Sequence, residues 1–237
     1  MKFLAFETAT EACSVALWLD GEVRERFEIA PRRHAELSLP WAEQLLADAG
    51  IAKSQLDAIA VGRGPGAVTG VRLAVALAQG IALALDRPVV PVSTLAALAM
   101  QARALRSPGN GPVRVLAAID ARMGEVYAGT FELRGDDATA LSPETVGAPQ
   151  TLDLEGGGWL GVGTGFTAAQ SALCHRLGIQ LADCDAAALP HAAHVARLAA
   201  IAFARGEGVA PERVEPAYLR NNVALTLAGQ QALRDSR

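Results

Sequence analysis

The sequence predicts an α/β protein made of two similar halves. Three observations predict it. Apolar strand-like runs alternate with helical patterns along all 237 residues. The first half opens on consecutive strands before any helix, and a second run of the same kind begins at residue 114, just past the Pro/Gly-rich stretch "SPGNGP" (107–112). A chain of this length can bury the core of one large or two small domains.

The first element is the short apolar strand "KFLAFE" (2–7). "CSVALWLD" (13–20) alternates as a half-buried strand does, and Asp20-Gly21 is a hairpin signal leading into "EVRERFEIA" (22–30). Three consecutive antiparallel strands result. A helical pattern follows from about His34 to Ala49, with Leu37, Trp41, Leu45 and Leu46 at helical spacing. Pro40 kinks or restarts it, and Gly50 stands at the C-terminal cap position. "DAIAVG" (57–62) reads as a buried strand, 71–85 as a helix, "PVVPV" (88–92) as a strand and "TLAALAMQARAL" (94–105) as a helix. The order βββαβαβα is that of a ribonuclease-H-like module, and 107–112 then serves as a linker.

The second half repeats the plan in reduced form. "RVLAAID" (114–120) and "EVYAGTFEL" (125–133) form a strand pair across the turn "ARMG", and "ATALSPETVG" (138–147) can supply a third strand. "WLGVGTG" (159–165) is a strand running into a glycine turn. "FTAAQSALCHRL" (166–177) and "HAAHVARLAAIAFARG" (191–206) are helices, the last stopped by Gly206.

Composition narrows the function classes. Hydrophobic residues make up 51% of the chain, yet the longest apolar stretch, Leu73 to Leu85, is broken by Gln79 and falls short of a membrane span. No signal peptide is legible, so the cytoplasm is the expected compartment. Cys13, Cys174 and Cys184 form neither a CxxC pair nor an even-numbered framework, so free thiols are expected rather than disulfides or zinc. A net charge of −4 argues against a basic nucleic-acid footprint.

"GRGPGAVTG" (62–70) is the densest motif, carrying Gly62, Gly64, Pro65, Gly66 and Gly70 between a strand and a helix. Gly62-x-Gly64-x-x-Ala67 matches the dinucleotide fingerprint only formally. The strand after the helix is followed by Ser93 and Thr94 instead of an acidic residue, and the antiparallel opening contradicts a parallel βαβ start. No GK[ST] occurs, which excludes a Walker A loop. Two readings remain: a structural turn of glycines, or an anion site at the N-terminal amides of the following helix beside Arg72.

"FETATEACSVALW" (6–18), "GRGPGAVTGVRLAVALAQGIAL" (62–83), "VSTLAALA" (92–99), "AAIDARMGEVYAG" (117–129), "VGTG" (162–165) and "EPAYLRNNVA" (215–224) occur in one order along the chain. Together they resemble the bacterial TsaB family of tRNA threonylcarbamoyladenosine biosynthesis proteins. The resemblance implies two ribonuclease-H-like modules of the actin-like, sugar-kinase and Hsp70 superfamily, the second reduced. Residues 1–107 would form the first domain and 112–237 the second, with the C-terminal helix and tail free to pack back on the first. It further implies a non-catalytic scaffold that supports the catalytic paralogue TsaD, with TsaE as the partner ATPase, tRNA reached through the complex, and a homodimer open to the isolated chain.

The resemblance implies no cofactor and no metal. TsaD carries two metal-binding histidines on the stretch matching "VSTLAALA", and here those positions hold Thr94 and Leu98. Glu7 stands where aspartate is usual, and Ala67-Val68 replace the usual Ser-Phe. Asp120 occupies the place of a phosphate-loop acid, or else caps the following turn. His34, His175, His191 and His194 suggest structural or solvated roles.

The helix 71–85 has hardly a polar side chain besides Arg72 and Gln79, so it must be covered on more than one side. With the helix 34–49 it could form a face shared with TsaD or a second copy, which is where the resemblance also puts the contact. Leu37, Trp41, Leu45, Thr69, Arg72, Ala74 and Ala78 are the candidates. The rival class is an enzyme acting alone, a nucleotide-dependent transferase or a peptidase. The peptidase lacks both a metal-ligand pair and a G-x-S-x-G elbow.

Overall fold

A computed structural model describes residues 1–105, 111–178 and 180–220. Most of the expected linker (107–110) and the end of "EPAYLRNNVA" (221–224) lie outside them.

The opening strands form as their alternation requires: β1 (Lys2–Glu7), β2 (Ala12–Leu19) and β3 (Glu22–Ile29). Next come α1 (His34–Ala49), β4 (Ala58–Gly62), α2 (Val68–Leu85), β5 (Val89–Val92) and α3 (Thr94–Ala99). The second half holds β6 (Val113–Arg122), β7 (Glu125–Arg134), β8 (Asp137–Ala140), β9 (Thr145–Gly147), β10 (Trp159–Val162), α4 (Ala168–Leu177), β11 (Leu181–Asp185) and α5 (Ala192–Ala204).

Two sheets result with matching topology. The first runs β3-β2-β1-β4-β5, and the second runs β11-β10-β6-β7-β8 with β9 also on β7. In each, an antiparallel meander adjoins parallel strands: β1 pairs β2 antiparallel and β4 parallel, as β6 pairs β7 and β10. Both faces of β1 and β4 are covered, which explains their near-continuous apolar sequence.

Side-chain alternation divides the core into layers. Leu4, Phe6, Val15, Ile59 and Val61 meet α1 and α2 on the outer face of the first sheet. Phe3, Ala5, Ala58 and Ala60 point the other way, into a cluster shared with α3, α5 and the inner face of the second sheet. Leu116, Ala128, Trp159 and Phe166 meet α4 on that sheet's far side. Between the sheets the helices are exchanged: α5 packs on β1, β2, β4 and β5, whereas α3 packs on β6, β7 and β8.

Several boundaries differ from the sequence expectation. α2 begins at Val68, so Val68, Thr69 and Gly70 belong to its first turn rather than to the glycine loop. The lengthened helix is long and apolar enough to cross a membrane by length and composition; here Val71, Ala74, Val75, Ala78 and Ala82 are buried on the first sheet. The α-helix at 94 ends at Ala99 and continues as 3-10 turns over Met100–Leu105. The single strand expected in 138–147 is two short ones, and β11 carries no expectation because "LADCD" is short and its apolar run is broken by Asp183 and Asp185. α1 runs unbroken through Pro40, where the freed carbonyl of Glu36 lies on the exposed face and can be hydrated.

Candidate functional site

The glycine turn is held by the turn between β1 and β2. Ala67 N–H donates to the carbonyl of Ala9 at 2.7 Å, and the Thr8 hydroxyl donates to the carbonyl of Gly70 at 2.7 Å. Approach is so close that a Cβ at Gly66 would lie 2.7 Å from the Ala9 side chain, and one at Gly70 would overlap the Thr8 carbonyl. The Gly64–Pro65 peptide is cis. These contacts account for the glycines at 66 and 70 by steric room alone.

Beneath the turn lies Glu7, 1% exposed. Its carboxylate accepts from Ala9 N–H at 2.8 Å and from the Thr94 hydroxyl at 2.8 Å. Thr94 in turn accepts from Gly64 N–H at 3.1 Å, and its own N–H donates to the Gly64 carbonyl. A Cβ at Gly62 would overlap the Glu7 carboxylate. Burial pushes the Glu7 carboxyl up to about 7, against the opposing pull of the Ala9 and Thr94 bonds. Within the loop, the amides of Arg63, Gly64 and Ala67 bond to Val92, Thr94 and Ala9.

A cleft of about 650 Å³ opens beside the turn, between Ala9, Thr10 and Ala67 of the first half and Asp120, Tyr127 and Thr164 of the second. Asp120 faces it, but its carboxylate accepts from Arg122 N–H at 2.8 Å and pairs with the Arg122 guanidinium at 3.0 Å. It closes the β6–β7 turn. The structure therefore does not bring Glu7 and Asp120 together as a paired acid site: one lines the cleft and the other is buried below the glycine turn.

The interface candidates divide by burial. Ala74 and Ala78 are 0% exposed, and Leu37 and Leu45 are also buried. This corrects their assignment to a partner face, because they fill the core of the chain's own first half. Trp41 is half buried against the same clusters. Thr69 and Arg72 are exposed. The outward ridge of α2 is instead Thr69, Arg72, Ala76, Gly80 and Leu83, with Leu83 73% exposed.

A strap after α5 covers the flank of α2. Val209 bridges to Val89, Gln79 donates to the carbonyls of Pro211 and Val214, and Ala217 N–H donates to the Arg63 carbonyl. Arg72 lies 5.5 Å above the Tyr218 ring centre and bonds its hydroxyl at 3.0 Å. Arg220 reaches the second half, at the Ala121 carbonyl and Glu125. Two sequence features fall on this contact: Gln79, a lone amide in an apolar helix, and the start of "EPAYLRNNVA", which supplies Ala217, Tyr218 and Arg220.

Thr94 and Leu98 are both fully buried, the first hydrogen-bonded as above and the second packed in the shared core. Among the described residues no three His, Cys, Asp or Glu side chains gather where they could hold a metal. His34 bonds the carbonyls of Thr10 and Ala12, and His175 is exposed. His191 stacks on Phe27 with ring centres 4.1 Å apart. Burial holds the His194 imidazole down at about 4.

Paired sheets of this topology, with a glycine turn at the mouth of the cleft between them, define an actin-like fold. A family model described as TsaD, tRNA N6-adenosine threonylcarbamoyltransferase, matches residues 27–228, and the chain belongs to that family. Its relatives within the family include proteins named tRNA threonylcarbamoyladenosine biosynthesis protein TsaB. That of Escherichia coli is 44% identical over 94% of this chain and 96% of its own, and that of Haemophilus influenzae 38% over 94% and 95%. The solved structure of YeaZ from Pseudomonas aeruginosa superimposes with a TM-score of 0.82 at 45% identity, covering 92% of this chain and 99% of the other.

Proposed function

We propose that the chain acts in forming threonylcarbamoyladenosine in tRNA as a non-catalytic scaffold, docking a TsaD-type transferase on the outer face of α1 and α2. The observation that carries this reading is the ridge Thr69, Arg72, Ala76, Gly80 and Leu83. Apart from Arg72, which stacks on Tyr218, its side chains are small or apolar and face outward, so a second helix could approach closely. The non-catalytic part is supported by Thr94 and Leu98, whose complete burial leaves no open ligand position where TsaD has its metal pair. The same reading includes TsaE as the ATPase of the complex, tRNA met through the complex, a homodimer using the same face when the chain is alone, and a cytoplasmic setting. It also divides the chain at 107–112 into two domains.

Reconstituted threonylcarbamoylation of tRNA, with and without this chain, tests it. Full activity from the TsaD-type protein and its other partners alone would overturn the scaffold role. ATP hydrolysis or threonylcarbamoyl transfer by this chain alone would favour the enzyme reading instead.

A further inference from the structure

A second cavity, of about 390 Å³, lies between the two halves, and among the described residues it shares no lining residue with the cleft beside the glycine turn. Volumes of about 300–1,000 Å³ are usual for small-ligand sites. Its walls come from β5 and β8, the edge strands of the two sheets, and from α5. Val92, Ala96, Phe131, Leu198 and Ile201 give it an apolar lining. A polar trio drawn from both halves lines it too. Arg63 Nη2 donates to Glu144 Oε2 at 3.3 Å, and the Ser93 hydroxyl donates to Glu144 Oε1 while accepting from Ala96 N–H at 3.0 Å. The Glu144 side chain is 12% exposed and that of Arg63 33%. A second lining pair, Arg205 with Asp137 at 2.6 Å, is wetter, with Arg205 56% exposed.

We propose that this cavity is a binding site for a free α-amino acid with an apolar side chain, its carboxylate on Arg63 and its ammonium on Glu144. The trio holds more hydrogen-bonding capacity than its internal bonds use. A guanidinium carries five N–H donors, and each carboxylate oxygen can accept more than one bond. Among the described residues the Arg63 side chain donates once and each Glu144 oxygen accepts once. A simple anion would match Arg63 and repel Glu144, and a simple cation would do the reverse. A zwitterion satisfies both charges from one α-carbon, and the guanidinium fork suits its carboxylate. The ligand's side chain then covers the apolar lining, where burial adds to affinity. The head group belongs at Arg63 and Glu144 rather than at Arg205 and Asp137, because charges sheltered from water are less screened. Ser93 is a positioning residue: fixed by the Ala96 bond, it holds one Glu144 oxygen in place.

The test is calorimetric titration of the purified full chain with L-valine, L-leucine, L-methionine and L-phenylalanine, and with the N-acetyl and methyl-ester derivatives of each. At least one free amino acid should bind one to one with a Kd below about 1 mM. Its two derivatives, each lacking one charge, should bind at least about tenfold more weakly. Glu144→Gln, which keeps the shape of the side chain, and Arg63→Met should each weaken binding by a similar factor, whereas Arg205→Met should change it by less than about threefold. Ala138→Phe, which fills the cavity from β8, should abolish it. The derivatives are tested on the unmodified chain, so a variant that fails to fold leaves the comparison intact. Absence of binding by all four amino acids up to about 10 mM would overturn the proposal. So would derivatives that bind as tightly as the free amino acid, or full binding by a folded Glu144→Gln chain.

Discussion

His191 Nδ1 lies 3.0 Å from Glu25 Oε2, joining the start of α5 to the edge strand of the first sheet. The other Glu25 oxygen accepts from the Ser14 hydroxyl at 2.7 Å and from Ala193 N–H at 3.0 Å, and Ser14 accepts from Ala192 N–H at 2.8 Å. A carboxylate from one half thus caps a helix supplied by the other, where unpaired amides and the helix dipole favour negative charge.

Glu25→Ala should therefore loosen α5 from the first sheet. Burial raises the Glu25 carboxyl, but the bonds from His191, Ser14 and Ala193 outweigh it and hold the group below its ordinary value. A depressed pKa stabilises the fold above the ordinary carboxylate range, and that stability is lost as pH falls through the folded value. The variant should lose about 1–3 kcal/mol at neutral pH, with the deficit shrinking in acid. Urea unfolding at several pH values checks this, and equal stability at pH 7 would discard the clamp.

The opposite sign holds at Glu7. Its pKa rises from 4.5 to about 7, so the protonated form suits the folded state and stability falls as pH climbs through that window. Glu7→Gln, which mimics the protonated group, should match the wild type near pH 4. It should lack the decline of about 1.4 kcal/mol per pH unit above that. Parallel stability curves across the window would show that Glu7 does not titrate as described.

Two glycines of α2 should respond oppositely to alanine. At Gly70 the added Cβ meets backbone, the Thr8 carbonyl, so Gly70→Ala should cost more than about 2 kcal/mol or prevent folding. Gly80 is exposed with open space at its Cβ, so Gly80→Ala should stabilise by about 0.5–1 kcal/mol. Melting temperatures of the two variants settle the comparison.

Burial also separates Ala78 from Ala76, two positions apart on the same helix. Ala78→Glu places a charge in the apolar core of the first half and should unfold the isolated chain. Ala76→Glu lies on the outward ridge and should change stability by less than about 0.5 kcal/mol. Under the proposed docking it should nonetheless abolish co-elution with a TsaD-type partner. A complex that survives Ala76→Glu and Leu83→Glu would move the contact elsewhere.

The element order was legible in the sequence because strand alternation, hairpin signals and helical spacing are local properties. "KFLAFE", "CSVALWLD" and the pattern His34 to Ala49 carry their own periodicity and stops, so β1, β2 and α1 fall where the residues place them. The six motifs of the family resemblance were likewise readable, since each is a contiguous string. What each side chain faces was not. A helix as apolar as α2 shows no polar face to mark its outer side, so sequence could not tell Ala74 and Ala78 from Ala76; only the sheet packed beneath the helix decided that. Glu7 beneath Gly62, Arg72 against Tyr218 and Glu25 on His191 join residues 55, 146 and 166 positions apart, and no local pattern encodes such pairs. Sequence by itself determined the family and most of the succession of strands and helices, β11 and the split of β8 from β9 excepted; tertiary structure decided which faces are buried, because burial depends on the approach of distant segments that each satisfy their own local preferences.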